Sequence, residues 1–339
     1  MFGKSVFIVA ELSANHNNDF DLTVKTIKAI ADSGADAVKV QTYKPGSITL
    51  NLSTGYFSAR KDGLWKGYTP WQLFKKAAMP YEWQVQLKKI AEDSGLIFFS
   101  SPFDTEAVDF LETLKVAIYK IASFEITDIP LIEYIASKGK PVIISTGVAD
   151  IDDIQLAIDT CRNAGNNKIF LLKCTSEYPA TINKANLLTI PDMKNRFEVE
   201  VGVSDHSCGI IVPLVAVSLG ARIVEKHFIL DRNMGGIDSA FSMEPDEFKE
   251  MVQKIRQAET AIGNINYEVR ESDKYRRRSL FVIKNIRKGE CISDQNIKSI
   301  RPGYGLPPKY FNSVLGKKVK RDLRIGSPLK EEDIDEFIR

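Results

Sequence analysis

The chain has 339 residues, with 46 Lys and Arg against 44 Asp and Glu and a formal charge of +2. That balance provides no basic surface for nucleic acid and no polybasic patch for a membrane. With 44% hydrophobic and 27% charged residues the chain can bury a core, and it has no apolar run near the ~20 residues that span a bilayer.

Met1 to Lys4 lead straight into a strand-like run, which argues against a signal peptide. Cys161, Cys174, Cys208 and Cys291 are scattered and contain no CxxC, so no disulfide framework is expected. The expectation is a soluble cytoplasmic protein with reduced thiols.

Strand-like runs then recur at 6–12, 38–43, 97–103, 117–123, 141–147, 169–176, 200–206 and 222–230, each followed by an amphipathic stretch. Near-continuous Val, Ile and Phe suit strands covered on both faces. Five helix-like stretches end at Gly34, Gly95, Gly139, Gly165 and Gly220, as C-caps before short turns. Asp19, Asp104 and Asp152 read as N-caps. Eight strands alternating with helices over ~250 residues predict a (β/α)8 TIM barrel. The alternative, a doubly wound sheet, needs a glycine-rich loop after the first strand, and SANHNND has none.

The connection at 44–80 is long and holds Tyr56, Trp65, Tyr68 and Trp71. It is expected to overhang the barrel mouth, or else to be a flap with its own small core. The barrel is assigned to 1–263 and a charged linker to 264–278. Residues 279–339, rich in Gly and Pro turns, form a small, mostly irregular β domain.

Polar residues gather at the C-terminal ends of the strands, where a barrel places its active site. Lys39 and Gln41 share one strand face, as do Glu225 and His227. Two of the three histidines, His206 and His227, end consecutive strands ~4.8 Å apart, so one metal ion could bridge them. The alternative is two imidazoles satisfied by hydrogen bonds. Asp205 or Glu225 could orient one of them, and His16 could be a cap. Lys39 and Lys120, with Ser101, Ser123, Ser145, Ser176 and Ser204, look like an anion site. A Schiff-base lysine is the competing reading. Lys173 and Lys226 are weaker candidates, and Cys208 reads as a small packing residue. Glu11, the one carboxylate on the first strand, is a candidate proton-transfer group.

The ordered strings IVAELSANHN, VKVQTY, FSSPFD, YKIASFE, VIISTGVA, LLKCTSEYPA, VGVSDHSCG and VEKHFILD resemble the sialic acid synthase family. SLFVIKNIRKGE and RPGYGLPPKY resemble its antifreeze-like (SAF) domain. Within the family, Phe124, LWKG at 64–67 and GGIDSAFSMEP at 235–245 resemble the pseudaminate branch rather than the sialate and legionaminate branches.

The resemblance implies condensation of phosphoenolpyruvate with an N-acetylated amino sugar, 2,4-diacetamido-2,4,6-trideoxy-L-altrose, giving a nine-carbon 2-keto acid and phosphate. It implies a divalent metal, Mn²⁺ with Mg²⁺ or Co²⁺ as alternatives, on His206 and His227. It maps phosphoenolpyruvate contacts to Lys39, Ser101, Lys120, Ser123, Ser145, Ser176 and Ser204. Some relatives carry threonine where Ser101 stands and asparagine where Ser176 stands, and the hydroxyls here can still donate. Sugar contacts map to Glu11, Gln41, Tyr178 and Asp238, with Arg301 reaching the N-acetyl group from a partner subunit of a domain-swapped homodimer. The rivals are an N-acetylneuraminate or legionaminate synthase, a Schiff-base aldolase, and a non-enzymatic carbohydrate- or ice-binding protein.

Overall fold

The computed structural model describes residues 5–337; the leader-free start read from Met1 to Lys4 lies outside them. The chain divides into two compact units, Met1–Gly263 and Asn264–Arg339. Among the described residues no helix is long and apolar enough to cross a membrane.

The first unit is a closed barrel of eight parallel strands in sequence order. They are β1 (Phe7–Glu11), β2 (Ala37–Thr42), β3 (Ile97–Pro102), β4 (Tyr119–Ile121), β5 (Val142–Ser145), β6 (Ile169–Cys174), β7 (Glu200–Asp205) and β8 (Ile223–His227). β1 closes on β8 with Glu11 opposite His227. The TIM barrel expected from the repeat is therefore the fold. Strands β4 and β8 are shorter than their apolar runs, because Ser123 starts a 3-10 turn and Phe228 pairs outward with Met243.

Helices α1 (Phe20–Asp32), α2 (Pro45–Ile48), α3 (Pro70–Ala77), α4 (Tyr81–Asp93), α5 (Thr105–Thr113), α6 (Ile129–Ala136), α7 (Ile151–Asn163), α8 (Thr189–Phe197), α9 (Ile211–Ser218) and α10 (Pro245–Ile262) complete the unit. Asp19 and Asp104 cap α1 and α5 as expected. Asp152 does not cap α7: Asp150 does, exchanging bonds with Asp153 in a capping box, and Asp152 lies inside the first turn. Gly34 and Gly220 follow their helices at φ of 84° and 96°, a region that disfavours side chains with a Cβ.

Side chains fill the barrel in layers. Phe7, Val9, Ala37, Phe99, Ile118, Ile143, Leu172 and Ile223 form the lower, apolar layer. At Gly202 on β7 a Cβ would stand 2.4 Å from the Ile223 carbonyl and 2.7 Å from Leu172, so only glycine lets Leu172 fill the axis. A larger cluster, including Ile27, Leu87, Ile132, Ile158 and Phe248, packs the helices onto the outside.

The second unit has an antiparallel pair, β9 (Ser279–Val282) and β10 (Ile297–Ile300), around its own core of Leu280, Val282, Ile297, Val314 and Leu329.

Candidate active site

One step above the apolar layer the barrel interior becomes charged. Glu11, Lys39, Ser101, Lys120, Ser145, Ser204 and Glu225 are all buried there. Lys39 Nζ lies 3.0 Å from Glu11 Oε2 and 3.3 Å from Glu225 Oε1, and 3.5 Å from the Ser101 hydroxyl. Lys120 donates to Glu225 Oε1 at 3.0 Å, and Ser204 donates to the same oxygen at 3.1 Å. Gln41 reaches Glu11 (3.1 Å) and the Ser13 hydroxyl (2.9 Å).

These contacts set the charges. Burial works against ionisation of Glu225, but Lys120 and Lys39 outweigh it and hold this carboxyl below the usual carboxylate range. Burial raises Glu11, repulsion from Glu225 adds to it, and Lys39 offsets only part, so Glu11 can carry a proton. Burial works against Lys39 but Glu11 and Glu225 outweigh it, whereas burial lowers Lys120 and Glu225 offsets only part; one firmly ionised carboxylate thus serves two lysines, and an added anion would favour both ammonium forms.

Beside them lies a cradle of hydroxyls. The Gly147 N–H donates to Ser123 Oγ at 3.2 Å. A Cβ on Gly147 would sit 2.1 Å from Ser176 Oγ and 2.9 Å from Ser123 Oγ. The buried Ser145 hydroxyl has no hydrogen-bond partner. An unpartnered buried hydroxyl in the same layer as the lysines suits a bound phosphate.

The two histidines meet at the rim of this layer, ring centroids 5.3 Å apart. His206 Nδ1 lies 3.0 Å from the Thr175 carbonyl. A carbonyl only accepts, so Nδ1 carries a proton; burial opposes a second one, but Cys174 and the Thr175 carbonyl outweigh it and raise His206, so Nε2 offers its lone pair once a bound cation displaces that proton. Burial, then the neighbouring His206 and Lys39, push His227 well below its ordinary range, which keeps it neutral as a metal ligand must be. Its Nδ1 is buried without a hydrogen-bond partner, 3.9 Å from Asp238 Oδ2. Among the described residues no group of three or more His, Cys, Asp or Glu could hold a metal. The residues present fit an ion that takes its other ligands from oxygens of reactants and water.

Neither carboxylate expected to orient a histidine does so. Asp205 pairs with Lys226 and accepts from the Ser207 N–H, while Glu225 serves the two lysines. Lys226 faces away from His227, as alternation predicts. His16 is structural: its Nδ1 accepts from the Asn18 N–H and its Nε2 reaches the Ala77 carbonyl, both at 3.0 Å. Cys208 is exposed rather than packed, because it follows the end of β7 on an open loop.

The loops hold the rest. The segment after β8 folds back, with the Met243 N–H donating to the His227 carbonyl, and brings Asp238 to the mouth. Ser13 donates to Asp238 Oδ2 at 2.6 Å. Tyr178 packs against His206 with ring centroids 4.3 Å apart and planes tilted by 50°. The 44–80 insertion does overhang the mouth: Trp65 Nε1 donates to the Ile237 carbonyl at 3.0 Å, and its ring lies 5.8 Å from Tyr178. Arg301 belongs to the second unit, where it is exposed.

Sequence reasoning missed Ser13, Glu125, Gly147 and Cys174. Cys174 lies two residues beyond Leu172 and could have been read from alternation. Burial disfavours its thiolate, but His206, Ser123 and Lys120 outweigh that and bring the thiol down to about 7.

Residues 26–267 match the NeuB family and residues 277–335 match the SAF domain. The chain belongs to the NeuB family. It is a phosphoenolpyruvate-condensing nonulosonic acid synthase of that family. It is similar to the pseudaminic acid synthase of Campylobacter jejuni, with 45% identity over 333 residues and 97% of each chain covered. It is also similar to the N,N'-diacetyllegionaminic acid synthase of Legionella pneumophila, with 37% identity, 97% of this chain and 94% of that one. Among solved structures, an N-acetylneuraminic acid synthetase from Leptospira borgpetersenii in complex with citrate aligns with a TM-score of 0.72 and 33% identity, over 80% of this chain and 90% of that one.

Proposed function

We propose that this NeuB-family chain is a pseudaminic acid synthase, condensing phosphoenolpyruvate with 2,4-diacetamido-2,4,6-trideoxy-L-altrose. The observation that carries this reading is the higher identity to a synthase of that name, 45% against 37% for the legionaminate enzyme, over nearly the whole chain. The branch strings at Phe124, Leu64–Gly67 and Gly235–Pro245 support it.

In this reading Lys39 and Lys120 hold the phosphate and carboxylate of phosphoenolpyruvate, with Ser101, Ser123, Ser145, Ser176 and Ser204 fixing their oxygens. Gln41, Tyr178 and Asp238 contact the sugar. His206 and His227 hold a divalent cation, Mn²⁺ foremost, which supplies Lewis acidity at the aldehyde oxygen.

Carbon 3 of phosphoenolpyruvate attacks the aldehyde carbon, forming the new carbon–carbon bond and leaving an oxocarbenium-like centre at carbon 2. Glu11, whose carboxyl is held protonated more readily than usual, gives its proton to the nascent alkoxide. Water adds to carbon 2 and returns a proton to Glu11. The bond from carbon 2 to the phosphate oxygen then breaks as the new hydroxyl becomes the ketone, and its proton leaves with phosphate in the lysine and serine cradle. The protein works as a domain-swapped homodimer, with Arg301 of the antifreeze-like unit reaching the acceptor's acetamido group in the other copy.

The decisive experiment incubates the protein with phosphoenolpyruvate, Mn²⁺ and, in parallel, the altrose derivative, the legionaminate precursor and N-acetylmannosamine. Phosphate release and product mass are followed. Preference for the altrose derivative supports the proposal, and preference for either other sugar overturns the branch. Arg301→Ala is expected to raise the acceptor KM while leaving phosphoenolpyruvate KM unchanged, and sedimentation analysis reports the dimer.

A further inference from the structure

A cavity of about 510 Å³ opens above the charged layer. One side is reactive, with Gln41, His227 and Asp238. The other is a wall of Tyr43, Ile48, Leu73, Phe74, Ala77 and Phe103, none of which the chemistry above uses. The one side-chain polar atom among these six is the Tyr43 hydroxyl, and it already donates to the Phe74 carbonyl at 3.3 Å.

This wall is fixed before any ligand arrives. The Tyr43 ring meets Phe103 edge-on at 5.1 Å and Phe74 at 6.1 Å. Helix α3, which supplies Leu73, Phe74 and Ala77, starts in a Thr69–Gln72 capping box. Its end is tied down by His16 at the Ala77 carbonyl and by Asn18 at the Lys76 carbonyl. The third histidine of the chain therefore holds the wall rather than the chemistry. A wall pinned in this way offers a ligand hydroxyl nothing beyond the Tyr43 oxygen, whose own hydrogen is committed to Phe74.

We infer that this apolar wall selects the acceptor sugar by the far end of its carbon chain, favouring a terminal methyl over a hydroxymethyl group. The inference rests on the sugar-aldehyde reading above and deepens it. A hydroxymethyl group placed against the wall gives up water and finds at most the Tyr43 oxygen as an acceptor, whereas a methyl gains contact. An apolar pocket rejects an added hydroxyl by up to about 100-fold, which sets the scale.

The test compares kcat/KM, at saturating phosphoenolpyruvate and Mn²⁺, for two acceptors that differ only at carbon 6. These are 2,4-diacetamido-2,4,6-trideoxy-L-altrose and its 6-hydroxy counterpart. The wild type is expected to prefer the deoxy sugar by about 10- to 100-fold. Ile48→Thr and Ala77→Ser each add a hydroxyl to the wall, and each is expected to shrink that ratio by a factor of about three or more without changing phosphoenolpyruvate KM. Because the ratio is taken within one preparation, partial misfolding of a variant cancels. A wild-type ratio near one, or a ratio that neither variant moves, overturns the inference and leaves the synthase reading standing. Failure to release phosphate with either sugar overturns the acceptor assignment itself, and this inference with it.

Discussion

The lower and upper layers of the barrel interior share strands, alternation and burial, yet differ completely in chemistry. Adding two to Val9, Ala37, Phe99, Ile118, Ile143, Leu172 and Ile223 gives Glu11, Lys39, Ser101, Lys120, Ser145, Cys174 and Glu225. A step of two residues is roughly 6.6 Å along a strand. Within that distance the interior passes from hydrocarbon to two ammonium and two carboxyl groups. The apolar layer removes water from beneath the charges, and that low-dielectric floor strengthens every charge contact above it. Stability and chemistry are thus assigned to successive layers of the same strands.

The comparison is sharpest at Glu225, the hub of the upper layer. Replacing it with Gln leaves Lys39 and Lys120 buried with only Glu11 to offset them. The expected cost is about 3–5 kcal/mol by urea unfolding, together with loss of phosphate release. Its ionised form is favoured in the folded state, so its contribution is present above the ordinary carboxylate range and is lost as pH falls through its depressed folded pKa. A Glu225→Gln protein as stable as wild type would mean that the upper layer does not depend on this charge balance.

Glu11→Gln probes the same layer through rate. A general acid–base role predicts a fall in kcat of about 10²–10⁴-fold, with phosphoenolpyruvate binding changed far less. Equal losses in both would remove Glu11 from proton transfer. In the lower layer the pattern should reverse. Leu172→Ala is expected to cost about 2–4 kcal/mol of stability, while kcat per folded molecule stays near wild type. If this substitution lowers kcat as strongly as Glu11→Gln does, the two layers are not separable.

Much of this division was legible before the structure, and the reason is periodicity. Strand alternation puts Lys39 with Gln41 and Glu225 with His227, and parallel strands in phase bring those pairs to one mouth. What alternation cannot give is partnership. By pattern alone Glu225 is a candidate support for a histidine, but it lies between two lysines because side chains of β2, β4 and β8 meet at one height inside the barrel. Loop residues were harder still. Ser13 reaches Asp238 across 225 positions of sequence, and Gly147 matters only because Ser123 and Ser176 crowd it from the connections after β4 and β6. The Asp152 cap failed at the scale of two residues, where competing aspartates at 150, 152 and 153 are separated only by backbone geometry.

Glu125 gives the smallest expected effect and the finest test of how far the charged layer extends upward. It lines the cavity just past β4, and its Oε2 is buried without a partner. Burial pushes its carboxyl up from 4.5 to about 7, against its own backbone N–H and Lys120, with Asp128 reinforcing the rise. Between those two pH values the folded chain binds the proton and the unfolded chain does not. Its contribution is therefore fully present below pH 4.5 and lost as pH rises through about 7. Gln cannot ionise, so Glu125→Gln should match wild type in acid and exceed it by roughly 3 kcal/mol above pH 8, as read from melting temperature against pH. If the two proteins differ equally at pH 5 and pH 8, the side chain is solvated or paired, and the charged layer ends at Lys120.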